Sequence, residues 1–338
     1  MSARLRVGVT DMTNLLKNRE TQLAAVILLM LVLIGFVNPD FIAPSNLLSV
    51  YTESSILIIL ALAQMLVVLT RCIDLSVAAN VALTGMVVAM INSQYPDLAL
   101  PAVIAAGILL GTLLGMINGL MVWKLGIPAI VVTLGTMSIY RGVVFLISNG
   151  EWVNAHEMSS SFINMPRTEI FGVQGFAIIS VLIIAAVYIF TEKRPLGREM
   201  YAAGNSPTAA FYTGIDVGRT QFWAFTISGM LSGLCGYLWI SRYAVAYVDV
   251  ALGFELQVVA ACVIGGVSIM GGIGTVLGCV LGALFLGVIN NALPVIGISP
   301  FWQMAISGSV IVIAVIANSR AERKVGRIIL RKATLARG

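Results

Sequence analysis

Apolar runs long enough to cross a bilayer follow one another along almost the whole chain, and no other feature narrows its fold so far. A helix needs about 20 mainly apolar residues to span the hydrocarbon layer. Such runs are read at 22–37, 54–70, 75–92, 101–123, 127–148, 172–191, 220–240, 253–271, 275–293 and 302–318. Only Arg71-Cys72-Ile73-Asp74 separates the second from the third, and only Lys124-Leu125-Gly126 the fourth from the fifth. The eighth and ninth meet at Gly271-Gly272-Ile273-Gly274. Of 338 residues, 59% are hydrophobic and 10% charged, against roughly 25% charged in soluble domains. The expected fold class is an all-α polytopic membrane protein of about ten transmembrane helices, forming a single domain over 1–338.

Charge sets the expected orientation. With the N-terminus inside, all 20 basic residues except Arg141, Arg167 and Arg242 fall on the inner side. Basic residues near span ends are retained in the cytoplasm, so both termini are expected there. The cytoplasmic parts are then 1–21, the loop 192–219 and the basic tail 319–338. The net charge of +5 speaks to topology and not to nucleic acid.

An even span count with the long basic loop after span six divides the chain into two halves of five, which would be inverted in the membrane. Gly115-Met116-Ile117-Asn118 followed by Gly126-Ile127-Pro128 matches Gly287-Val288-Ile289-Asn290 followed by Gly297-Ile298-Ser299-Pro300. Inverted repeats are a transporter signature. Gly111, Gly115 and Gly119 recur four apart, as do Gly274, Gly278 and Gly282, and Gly229 and Gly233. Small residues at this spacing let helix backbones approach, so close packing is expected at all three sets.

The loop 192–219 is the longest polar interruption, and a short helix is written into it. Ser206 or Asn205 can cap it, Pro207 suits its first turn, and Gly214 suits a left-handed stop. Such a helix suits docking better than mere connection, because connectors usually run two to eight residues.

Ionisable and amide groups among apolar runs are candidates for function. Asp74 could pair with Arg71, cap the third helix, or line a polar pathway. Arg141 sits within span five and needs carbonyls, a carboxylate or water. Ser76 stands beside Asp74, and Asn80, Asn118, Asn290 and Asn291 offer amides that could touch a neutral polar solute or bridge helices. No acid chain marks a proton relay. The single His156 can pair with no second histidine, and no metal cluster is expected. Cys72, Cys235, Cys262 and Cys279 read as buried free thiols. There is no Walker A, H-E-x-x-H or G-x-S-x-G motif, so no catalytic, cofactor or metal residue is expected in this chain.

The residues carry a resemblance that composition could not. Gly197-Arg198-Glu199-Met200-Tyr201-Ala202-Ala203-Gly204-Asn205, with Ala209-Ala210 and Gly214-Ile215, is similar to the cytoplasmic loop of ATP-binding-cassette importer permeases of the ribose, xylose and rhamnose branch. Ile73-Asp74-Leu75-Ser76-Val77 resembles the segment before their third span. Val263 to Gly272, running on to Gly287-Val288-Ile289-Asn290-Asn291, resembles their C-terminal region. Where that family usually has Gly-Gly before Ile-Asp-Leu-Ser-Val and a Gly after it, this chain has Arg71-Cys72 and Ala78. Ile139-Tyr140-Arg141-Gly142, Trp152 and the stretch 298–307 look nearest to rhamnose permeases, with autoinducer-2 permeases next.

The resemblance implies a transport subunit in a bacterial cytoplasmic membrane that imports a monosaccharide by alternating access. It implies a partner cytoplasmic ATPase that uses the ATP, an external sugar-binding protein, and a second permease subunit, identical or paralogous. Gly197, Arg198, Tyr201, Gly204, Asn205, Pro207, Ala209, Ala210, Gly214 and Ile215 would couple to the ATPase. Asp74, Ser76, Asn80, Asn118, Arg141, Asn290 and Asn291 are candidates for the pathway. The rivals are an ion-coupled secondary transporter, a membrane-embedded enzyme and a channel. The acidic residues avoid span centres, no catalytic cluster sits at one depth, and no filter motif stands out.

Overall fold

A computed structural model describes residues 18–295 and a few scattered positions beyond them. The tenth expected span, 302–318, lies almost entirely outside the described residues, as do 1–17 and the basic tail. The chain is a multi-pass helical protein. Among the described residues, eight helices are long and apolar enough to cross a membrane: α1 (Arg19–Val37), α2 (Pro44–Leu69), α3 (Val77–Gln94), α4 (Leu100–Leu125), α5 (Ala129–Ser148), α7 (Gly175–Lys193), α10 (Val217–Tyr243) and α12 (Val276–Val295). Short α6 (Ser160–Asn164) lies between α5 and α7, and α8 (Pro195–Asn205), α9 (Pro207–Tyr212) and α11 (Phe254–Ile264) complete the order. The described strands are four two-residue pieces, paired antiparallel as Val153–Asn154 with Val245–Ala246 and Glu169–Ile170 with Val173–Gln174.

The eighth expected span is not a full helix. Its helical part is α11, 11 residues or about 16 Å long, and the irregular stretch 265–275 follows it. The cause is glycine: Gly266, Gly271 and Gly272 adopt φ of +88°, +82° and +72°, which stops a helix. Irregular backbone survives at membrane depth only when protein satisfies it. Here Val267 N–H donates to Cys262 O, Ser268 N–H to Ile273 O, and Gly272 N–H to Leu69 O at 3.0 Å.

The core is built on α2 and α10. Nearly every residue of α2 from Ser54 to Leu69 is buried, whereas α1 buries none and exposes Leu28, Leu29, Leu33 and Phe36. α5 and α7 likewise turn Leu146, Val131, Leu182 and Val181 outward, as membrane-facing surfaces must. α4 and α10 meet backbone to backbone. A methyl group on Gly111 would overlap Gly229 and Gly233, one on Gly115 would overlap Phe225 O, and one on Gly233 would overlap Gly107 O. Gly278 and Gly282 do the same against Gly265 and Ala261. The expected glycine contacts are therefore present, with Gly274 against the Val267 side chain. All four cysteines are free and buried, as expected.

The bundle has two ends. One carries α8, α9 and the basic residues of 192–219, and is called the basic end. The other carries the loops 149–174 and 244–253.

Candidate functional site

At the basic end, α8 and α9 form an elbow. Ser206 caps α9 by accepting from Ala209 N–H at 3.3 Å, Pro207 opens it, and Gly214 follows with φ +86°. The short capped helix is thus where the sequence places it; α8 before it was not anticipated. Phe211 and Tyr212 project from α9 at 71% and 82% exposure, with their rings 6.0 Å apart. Arg198, Ala209 and Gly214 are also exposed, whereas Pro207 and Ile215 are half-buried.

Of the remaining candidate coupling residues, Gly197, Gly204 and Ala210 are buried, Tyr201 is half-buried and Asn205 is exposed. Gly197 packs against Phe190 and Thr191 backbone, and Gly204 against Leu69 O. Ala210 is buried. Tyr201 donates its hydroxyl to Gly274 O at 3.0 Å, and burial pushes that phenol up to about 12. Asn205 backbone lies against Gly272. These residues fix the elbow to the bundle.

What the elbow is fixed to is specific. Arg71 stands in the gap between α2 and α3, at φ +64°. Its Nε donates to Gly204 O at 2.6 Å and its Nη2 to Asn205 O at 3.1 Å. It therefore satisfies the last carbonyls of α8, which have no helical partner of their own. A glycine would adopt this φ freely, and arginine takes it while supplying the cap. Gly272, in the irregular stretch after α11, is bonded to Leu69 on one side and packed on Asn205 on the other. The elbow thus touches both interruptions of the bundle at once.

Above that joint lies a buried polar cluster. Asp74 Oδ1 accepts from Ser76 N–H at 2.9 Å and Ser76 Oγ at 2.6 Å. Its Oδ2 accepts from Ser228 Oγ at 3.3 Å. In the amide orientation that satisfies both groups, Gln64 pairs with Asp74 N–H and O, each at 3.1 Å. Asn118 donates to Ser76 Oγ at 2.8 Å, and Tyr140 OH donates to Leu114 O at 3.0 Å beside Asn118 Oδ1. Of the three roles open to Asp74, the structure shows it holding the start of α3; Arg71 is engaged with the elbow instead. Asn80 bridges to Gly111 O at 3.3 Å, so it ties α3 to α4. Arg141 donates to Val248 O and Val250 O, at 3.1 and 2.6 Å, which anchors the loop after α10 and places it apart from the Asp74 cluster.

Asn290 and Asn291 belong to a different place. Toward the opposite end they line a cavity of about 160 Å3 between α2, α10, α11 and α12. Glu53 and Arg242 form an ion pair on its wall, and Trp239 stands with its ring centroid 4.9 Å from that of Phe254. Asn290 Nδ2 donates to Gln257 Oε1 at 3.3 Å and Asn291 Nδ2 to Gly287 O at 2.9 Å. Sequence reasoning left out Glu53, Ser54, Trp239, Arg242, Gln64, Ser228 and Gln257.

A signal for several of them was present. Thr52-Glu53-Ser54 recurs as Thr226-Ile227-Ser228, and Asp74-Leu75-Ser76-Val77 as Glu255-Leu256-Gln257-Val258. With the Gly115–Asn118 and Gly287–Asn290 match, these fall in the same order in each half. The contacts follow the same plan. Gly115 on α4 lies against Phe225 and Gly229 of α10, while Gly287 on α12 lies against Ser54 of α2. Asn118 reaches Ser76 at the start of α3, and Asn290 reaches Gln257 at the start of α11.

Residues 46–315 match the family model described as branched-chain amino acid transport system / permease component. The chain belongs to this permease family. It is 36% identical over 320 residues to the Autoinducer 2 import system permease protein LsrC of Enterobacter sp. (strain 638), covering 94% of this chain and 91% of that one. It is 33% identical over 304 residues to LsrC of Escherichia coli O157:H7, covering 90% and 87%. It is 33% identical over 297 residues to the Ribose import permease protein RbsC of Haemophilus influenzae, covering 87% and 91%. No solved structure matches the chain. The family accords with a transport subunit and not an enzyme.

Proposed function

We propose that this chain is the membrane-spanning subunit of an ATP-driven importer that carries a small sugar-like molecule into a bacterial cell, with the basic end in the cytoplasm. The observation that carries the proposal is the elbow. Phe211 and Tyr212 stand free on α9, while the backbone behind them is fastened to both helix interruptions through Arg71 and Gly272. A force applied to α9 by a separate ATPase reaches the two least regular parts of the bundle. Differential contact with two states of the bundle is what such a partner must supply.

Among substrates, the relatives named for autoinducer 2 and for ribose support a compact polyol. Autoinducer 2 is supported at least as well as rhamnose, which the motif resemblance favoured. An external binding protein and a second permease subunit complete the proposed complex. No coupling ion is invoked.

The test is co-purification and uptake. Phe211→Asp with Tyr212→Asp places two charges on exposed positions, so the permease folds while the ATPase is lost and uptake stops. Ala210→Arg is unsuited to this purpose, because Ala210 is buried and the change reports on folding. An ATPase retained by the double variant, or uptake driven by an ion gradient without any ATPase, refutes the proposal.

A further inference from the structure

We propose that the cavity between α2, α10, α11 and α12 is a binding site of this chain's own for a neutral polyhydroxylated molecule of monosaccharide size. The proposal rests on the importer reading for its biological meaning, and on the cavity for its chemistry.

The cavity's 160 Å3 is the space of about five waters at roughly 30 Å3 each, which limits its occupant to a small molecule. Its wall combines an aromatic surface, Trp239 against Phe254, with fixed polar groups. Asn290 and Asn291 line the wall with amides held in place by Gln257 and Gly287, and the Glu53–Arg242 pair adds an acceptor and donors. A few placed polar groups on an aromatic ground is the composition of a small-molecule pocket. Hydrocarbon is a poor occupant, because charged groups facing lipid are costly.

The repeat supplies an independent observation. Ser54, Glu255, Gln257, Gly287 and Asn290 are the counterparts of Ser228, Asp74, Ser76, Gly115 and Asn118. In the Asp74 copy, the polar groups close on one another: Ser228 reaches Asp74, and Asn118 reaches Ser76. In the other copy Ser54 turns its hydroxyl back to Val50 O at 2.7 Å. Among the described residues, no Ser54–Glu255 bond corresponds to Ser228–Asp74. The second copy keeps the Asn290–Gln257 link but lacks the serine–carboxylate one, and its Ser54, Gly287 and Asn290 line the open cavity.

Thiol protection tests the site in the full complex, in reconstituted membranes. The four native cysteines are buried, so a membrane-impermeant maleimide reports on an introduced thiol. Asn291→Cys and Tyr243→Cys place that thiol on the cavity wall, and Tyr95→Cys, 63% exposed and distant in sequence, serves as the control. D-Ribose, L-rhamnose and autoinducer 2 are each raised to about 100 mM, well above a millimolar dissociation constant, with glycine betaine as osmotic control. Labelling at the two wall positions is expected to slow about threefold or more, the effect of a sugar at twice its dissociation constant. No protection at either position, or equal protection at Tyr95→Cys or by betaine, overturns the proposal. Uptake by the parent complex is measured in parallel. Uptake without protection removes the site and leaves the importer; protection without uptake leaves the site and removes the importer.

Discussion

Arg71 offers a prediction whose sign depends on two opposing magnitudes. Its φ of +64° costs a non-glycine residue about 1–2 kcal/mol. Against that, its guanidinium donates to Gly204 O and Asn205 O, and at an exposed position such bonds contribute about 0.5–1.5 kcal/mol each. Arg71→Gly removes both terms, so the elbow should change by between about 1 kcal/mol gained and about 2 kcal/mol lost. Arg71→Ala removes the bonds and keeps the backbone cost, so it should lie about 1–2 kcal/mol below Arg71→Gly. Hydrogen exchange of the α8–α9 segment reads this directly, because local opening follows its own free energy. The alanine variant should exchange roughly 5–30-fold faster than the glycine variant. If glycine exchanges as fast as alanine or faster, the left-handed backbone is not what the position demands and the reasoning is wrong. If alanine matches the parent, the two carbonyl bonds contribute nothing.

Three further outcomes follow from packing. Gly229→Leu sets a side chain into the backbone of α4 and should lower the thermal midpoint by the equivalent of about 3 kcal/mol or more, whereas Gly135→Ala, with open space at its Cβ, should leave it unchanged; a scanning-fluorescence melt checks both. Asp74→Ala leaves Ser76 N–H and Ser228 Oγ without their acceptor and should destabilise the bundle by about 1–3 kcal/mol, with Asp74→Asn losing less in the same melt. Asn118→Leu strips one partner from Ser76 Oγ and should cost about 1 kcal/mol, measured likewise.

The sequence made the periphery of the fold legible and its interior less so. Length and hydropathy located α1 to α5, α7, α10 and α12 to within a few residues, except that α2 begins at Pro44, ten residues before its apolar run. A proline at the first turn and the polar stretch after it carried that start, and hydropathy is blind to both. The eighth run failed for the opposite reason. Its composition is apolar, yet Gly265-Gly266 and Gly271-Gly272 forbid continuous helix, and only the backbone angles decide the matter. The candidate coupling residues were picked as one group that left out the exposed Phe211 and Tyr212, whereas Gly204, Gly197 and Ala210 turn inward and Arg198, Ala209 and Gly214 outward. Direction of that kind depends on what α8 packs against, namely Leu69 and Gly272, which lie far away in the chain. The second polar cluster stayed hidden because Glu53 and Arg242 lie 189 positions apart in the chain, and only the packing of α2 against α10 brings them together.

The position of Gly272 separates docking from transmission. It joins Leu69 of α2 to Asn205 of the elbow, whereas Phe211 and Tyr212 stand exposed on α9. Gly272→Val meets two obstacles: a φ of +72°, a genuine outlier for a β-branched residue, and a methyl position that overlaps Asn205. The elbow must therefore swing away from the irregular stretch after α11 while α9, held by Ser206 and Pro207, keeps its shape. If α9 acts as a lever, this variant should still bring down the ATPase and still hydrolyse ATP, but hydrolysis should no longer drive uptake. Loss of ATPase binding with Gly272→Val would mean that the docking surface includes the joint itself. Uptake at the parental rate would mean that force reaches the bundle by another route, with the covalent run from α9 into α10 the first to examine.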